Sequence, residues 1–81
     1  MTPHTAARIL RNHNDWRRGL IEQSKYSARA VIDIIETFAP DNDVLVAYAD
    51  HIKGHGIFRY DVNTLGCEID SLIVRLLGDS K

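Results

Sequence analysis

Cysteine is almost missing from this sequence: Cys67 stands alone among 81 residues. One thiol can form neither an intrachain disulfide nor a cysteine zinc site. A chain this short buries only about 60% of its unfolded surface. Tight helix packing or self-association must then supply what cross-links would have supplied. A lone thiol also fits a reducing cytoplasm. No apolar run approaches the roughly 20 residues of a membrane helix, so no membrane partner is expected. Met1–His4 has no basic region followed by an apolar one, so no signal peptide is expected either. Charge of one sign is lacking as well, with 10 basic residues against 11 acidic and a net charge of -1. No global field draws the chain onto nucleic acid, which is therefore an unexpected partner.

Enzyme signatures are absent too. The sequence has no Gly-x-Ser-x-Gly, no phosphate-binding glycine-rich loop and no HExxH. Its carboxylates are scattered singly. No catalytic residue and no cofactor is expected, and the chain reads as non-catalytic.

What is present is helical periodicity. Thr2 can cap a first helix, with Pro3 suited to its first position, and Thr5 is a second candidate cap. Ala6, Ile9, Leu10, His13, Trp16 and Leu20 recur at spacings of three and four and define one apolar face. Arg8, Arg11, Asp15 and Arg18 fall opposite, with Arg17 at the border. Gly19 ends or kinks this helix. A second helix is expected over residues 20–39, starting at Leu20 or capped by Ser24. Its stripe is Ala28, Val31, Ile32, Ile35, Phe38 and Ala39, and Pro40 stops it. After the turn at Asp41–Asp43 a third helix turns Val44, Leu45, Tyr48, Ala49 and Ile52 inward and ends at Gly54. Residues 56–62 alternate as a short strand would, but nothing can pair with them, so they read as an extended connector unless another subunit supplies the partner. Asn63 or Thr64 caps the last helix, where Val62, Leu65, Ile69, Leu72 and Leu76 repeat in a coiled-coil-like seam. Ile73, Val74 and Leu77 widen that surface, so this is either simply the core helix or a helix with one edge in a subunit interface. The expectation is one all-α domain over 1–81, a small four-helix unit that self-associates as a homo-oligomer.

The first helix concentrates binding chemistry. Arg11, Asp15 and Arg18, at i, i+4 and i+7, suit an exposed ion-pair ladder worth about 0.3–0.5 kcal/mol per pair. They also suit an anion site, because arginine presents a planar fork to phosphate or carboxylate. Trp16 is either a core anchor or a stacking face. His13 shares its face and reads as a hydrogen-bonded core residue, while Asn12 and Asn14 could read polar edges. His51 and His55 have the i, i+4 spacing of helical metal pairs. Gly54 and Gly56 flank His55, however, and no third ligand stands at a recognisable spacing, so no metal site is expected. Cys67 reads as a small buried residue.

The stretch Ile9-Leu10-Arg11-Asn12-His13-Asn14-Asp15-Trp16-Arg17-Arg18-Gly19 resembles a motif in short accessory proteins of tailed bacteriophages and prophages. Its form is a hydrophobic pair, a basic residue, and then His-Asn-x-Trp-Arg-Arg-Gly. Leu65-Gly66-Cys67-Glu68-Ile69-Asp70 resembles a later Leu-Gly-x-x-Ile-Asp segment of the same proteins. There a short polar linker joins the two, whereas here residues 20–62 intervene. The resemblance carries no function. It implies a context, a phage product in the bacterial host cytoplasm. In that setting a small helical protein is expected to counter host defence. Three forms of that role follow: capture of a nucleotide-like small molecule in a pocket between subunits, with Arg11, Arg17 and Arg18 on phosphate, Trp16 stacking on a base or shaping the pocket, and Asn12 and His13 as further ligand-binding residues; inhibition of a host defence protein; or regulation through weak DNA binding.

Overall fold

A computed structural model describes residues 1–79. It consists of four helices, α1 (Pro3–Arg17), α2 (Ala28–Phe38), α3 (Asp43–Ile52) and α4 (Val62–Asp79). The fold is all-α, with no strand among the described residues and an irregular, unpaired connector near 56–62.

Three helices begin on the residues that capping chemistry favours. The Thr2 hydroxyl accepts from the Thr5 N–H at 3.2 Å, with Pro3 in the first turn. Ser27 does the same for α2 and Asn42 for α3. Each satisfies a backbone donor that the first helical turn leaves free. The Asn42 side-chain amide also donates to Glu68 at 2.8 Å, so the start of α3 is tied to α4.

Two helices end on the same glycine device. Beyond α1, the Gly19 N–H reaches the Trp16 carbonyl and the Leu20 N–H reaches that of Asp15. Beyond α3, the Gly54 and His55 N–H groups reach His51 and Asp50 in the same pattern. The paired bonds need a left-handed residue, and the φ angles of Gly19 (79°) and Gly54 (86°) supply it.

The second helix is shorter than its periodicity suggested. It starts at Ala28, not at Leu20 or Ser24, and residues 18–27 form a loop. Asn12 holds that loop, its side-chain oxygen accepting from the Lys25 N–H at 2.9 Å and the Ser24 hydroxyl at 3.3 Å. Ser24 is bonded back to the Tyr26 carbonyl at 2.9 Å and is therefore no helix cap. Side chains that bond backbone locally compete with the helical ladder, and here they win. Leu20, expected on the apolar face of α1, lies in this loop and is 70% exposed.

The helices enclose one core. Leu10 of α1, Val31, Ile34 and Ile35 of α2, Leu45 of α3, and Leu65 and Ile69 of α4 are its most deeply buried large side chains. In α2 the buried stripe includes Ile34 and leaves Ala28 exposed. The most extensive helix pairing is α1 on α4. Lys53 bridges to Glu36 at 3.2 Å between α3 and α2. Arg75 of α4 donates to the Phe38 carbonyl at the C-terminal end of α2, where a positive charge is favoured.

Three expectations for α4 change. The Leu65 N–H bonds the Asp61 carbonyl, so the first turn begins ahead of Asn63 and Thr64. Val62, expected in the seam, is 61% exposed. Cys67, expected to be buried, is exposed, because Leu65 and Ile69 point inward on either side of it.

Candidate functional site

One wall of the candidate site comes from α1. Its inward face carries Ile9, Leu10 and His13, and the burial extends to Ala7 and Asn14, which the apolar spacing did not include. Asn14 is 1% exposed, and its amide donates to Asp70 of α4 at 2.9 Å. Its carbonyl oxygen accepts from Arg17 at 3.2 Å. Asn14 is thus an interhelical tie, not a reader of polar edges. Arg18 also reaches Asp70, at 2.8 Å, across a half-exposed pair. The Arg11–Asp15–Arg18 ladder does not form, since Arg18 turns to α4 and no ion pair joins Arg11 to Asp15.

His13 is buried and 2.7 Å from the Tyr48 hydroxyl of α3, the hydrogen-bonded core position expected of it. Burial, and secondarily the positive charge of Arg17, hold the imidazole below its ordinary value of 6.5. Burial also raises the Tyr48 phenol, against a smaller opposing effect of Arg17. The His13–Tyr48 pair is therefore uncharged at neutral pH, which suits an apolar setting.

From this pair a chain of rings spreads in both directions. Trp16 stands 5.5 Å from His13 by ring centroids. Phe58, from the connector, meets Tyr48 edge-on at 5.6 Å. His51 and Tyr60 flank Phe58 at 6.2 and 5.8 Å. These spacings are those of favourable offset and edge-to-face ring pairs.

All of these rings but Tyr60 line a cavity of about 550 Å³, to which α1 contributes His13, Trp16 and Arg17. Tyr48, His51 and Ile52 of α3 form a second side, Phe58 a third, and Ala28, Val62 and Leu65 complete it. Size and a mostly apolar lining match small-molecule sites. Trp16 keeps 43% of its surface exposed at the rim, so it is not a core anchor.

Arg17 is the one cation in the lining. Its Nη2 donates to the Asn14 side chain and, at 3.4 Å, to the Val62 carbonyl. Its Nε is buried without a partner. No acidic residue lies within ion-pair distance of it among the described residues. Neutral acceptors leave a partly buried guanidinium charge uncompensated, and such a charge favours an anion.

Of the six residues singled out in the sequence, His13, Trp16 and Arg17 meet at this cavity. Arg17 and Arg18 meet at a second one, about 500 Å³, with Val62, Asn63, Gly66 and Cys67. Arg11 lines neither; it edges a groove between α1 and α4 with Arg8, Ala7 and Ile73. Asn12 is occupied by the loop. Phe58, Tyr48 and Asp70 went unrecognised as site residues. Only the alternation Phe58-Arg59-Tyr60 hinted at the first, and nothing local marks the others.

Among the described residues no cluster of three or more His, Cys, Asp or Glu is placed to hold a metal. No described helix is long and apolar enough to cross a membrane. Fold and cavity together define a small all-α domain with an aromatic-lined, arginine-edged site. The chain matches no protein-family model, no curated protein and no solved structure.

Proposed function

We propose that this chain is a non-catalytic binding protein that captures a phosphate-bearing nucleotide signal. In the phage context that its two motif stretches suggest, such capture counters a host defence in the bacterial cytoplasm. One observation carries the reading: Arg17, a cation without an acidic partner among the described residues, edges a ring-lined cavity beside the half-exposed Trp16. A planar base would stack on the rings, and an anionic group would compensate the guanidinium. Arg11 and Asn12, placed elsewhere, take no part.

A thermal-shift screen against linear and cyclic nucleotides tests the proposal. A ligand at 100 times its Kd stabilises a fold by about 2.7 kcal/mol, several degrees for a domain this small. At least one nucleotide should raise Tm, and Arg17→Ala should abolish the shift while leaving the circular dichroism spectrum intact. Silence across the screen at millimolar concentration rejects the reading.

A second reading rests on a different surface. Leu77 of α4, 37% exposed, lines the Arg8–Arg11 groove, and Val74 of the same helix is 70% exposed. An apolar edge rimmed by arginines supports self-association or binding of a host defence protein. Light scattering reads the first of these as a mass above 9.2 kDa, and a monomer at micromolar concentration rejects it. Co-purification with an acidic host protein would support the other.

A further inference from the structure

Arg17 and Val62 line both the ring-lined cavity and the smaller one beside it, so the Arg17 side chain stands in a shared wall. The second cavity has a different character. Arg18 and Asn63 bring polar groups to it, and its floor includes Gly66 of α4. The Gly66 position explains how two arginines fit there. A Cβ on Gly66 would lie 2.8 Å from Arg17 Nη2 and 3.0 Å from Arg18 Nη2. Both guanidinium ends therefore rest over bare backbone at one point of α4. Asp70 compensates Arg18 alone, which leaves the pair with one uncancelled positive charge.

We infer that the second cavity is a single-phosphate subsite, and that one ligand spans both cavities with its base among the rings and one phosphate on Arg17 and Arg18. This assignment rests on the reading of the ring-lined cavity as a base site. Two forked guanidinium groups converging on one point suit the oxygens of a single phosphate. Among the described residues no further arginine or lysine lines either cavity for a second or third phosphate: Arg8 and Arg11 edge the separate groove. The ligand class is thus a nucleoside monophosphate or a phosphodiester, in preference to a triphosphate. Gly66 leaves open the point where the guanidinium ends converge, and a methyl group there would displace both ends from it.

Calorimetric titration of the full chain with the four common ribonucleosides and their 5′-mono- and triphosphates separates the two claims. The expected result is a monophosphate that binds about tenfold or more tightly than its nucleoside, with no further gain for the triphosphate. In Gly66→Ala and in Arg18→Gln that gain should fall to threefold or less, with nucleoside affinity kept. Arg18 is half-exposed, and Arg18→Gln gives the answer alone if Gly66→Ala fails to fold. Equal affinity for nucleoside and monophosphate overturns the subsite and leaves the base site standing, as does a gain that survives the substitutions. Binding of neither overturns both.

Discussion

Asn14 and Asp70, 56 residues apart, are joined by a 2.9 Å hydrogen bond, with Asn14 almost completely buried. Through the same side chain Asn14 receives Arg17, and through the same carboxylate Asp70 receives Arg18. Four residues of two distant stretches thus form one polar joint between α1 and α4. Its orientation sets where Arg17 stands against the cavity. Replacing Asn14 by Ala leaves Arg17 without its main acceptor and Asp70 without one donor. The expected loss is about 1–3 kcal/mol by urea denaturation. Asp70→Ala should show clear non-additivity with it in a double-mutant cycle. Strict additivity would mean that the joint is not a unit.

Stability should depend on pH through His13. Burial, and then the Arg17 charge, lower its pKa in the fold, so the unfolded chain takes up a proton at a higher pH than the folded one. Stability is then complete above the unfolded value near 6.5 and declines as the pH falls through it, until the folded imidazole protonates too. One proton limits the slope to about 1.4 kcal/mol per pH unit. Urea midpoints measured from pH 7.5 to 5 should show this decline, and His13→Gln should flatten it. An unchanged slope in that variant would place the titrating group elsewhere.

Gly54 can be tested independently of any ligand. At a φ of 86° a side chain meets no neighbouring atom, so strain alone opposes it. Gly54→Ala should lower stability by about 1–2 kcal/mol, the penalty of a left-handed L-residue. Gly78, with no left-handed φ and open space around its Cα, is the control. Gly78→Ala should be neutral or slightly stabilising.

Cys67 offers a chemical check on the rotation of α4. Because the thiol is exposed, an aromatic disulfide reagent should modify it in the native protein without denaturant. A thiol that reacts only on unfolding would show that α4 is turned inward at this position.

Legibility in the sequence followed the range of each interaction. Gly19 and Gly54 announced their helix ends because a left-handed cap is a property of three or four consecutive residues. The core of α3 was equally readable, with Leu45, Tyr48 and Ala49 buried as their spacing implied. The start of α2 was not. Ser24 and Ser27 are equal candidates locally, and Asn12, far upstream, decides between them. The site divided in the same way. Trp16 and Arg17 were visible as neighbours on one helix. Phe58 enters their cavity from an irregular connector, and Asp70 draws Arg18 away from Asp15; no periodicity encodes either.

The polar joint has a consequence for how the chain closes on itself. To bring Asn14 to Asp70, everything between them must act as a tether, whatever it folds into. The entropy of closing a flexible tether grows only logarithmically, by about 0.6 kcal/mol for each doubling of length. Seen from the seam between the first and last helices, the middle of the chain is therefore thermodynamically cheap to lengthen. Spacer residues inserted between the exposed Glu22 and Gln23, clear of the α1 cap, should change the fold's stability far less than a single methyl group removed from Ile69.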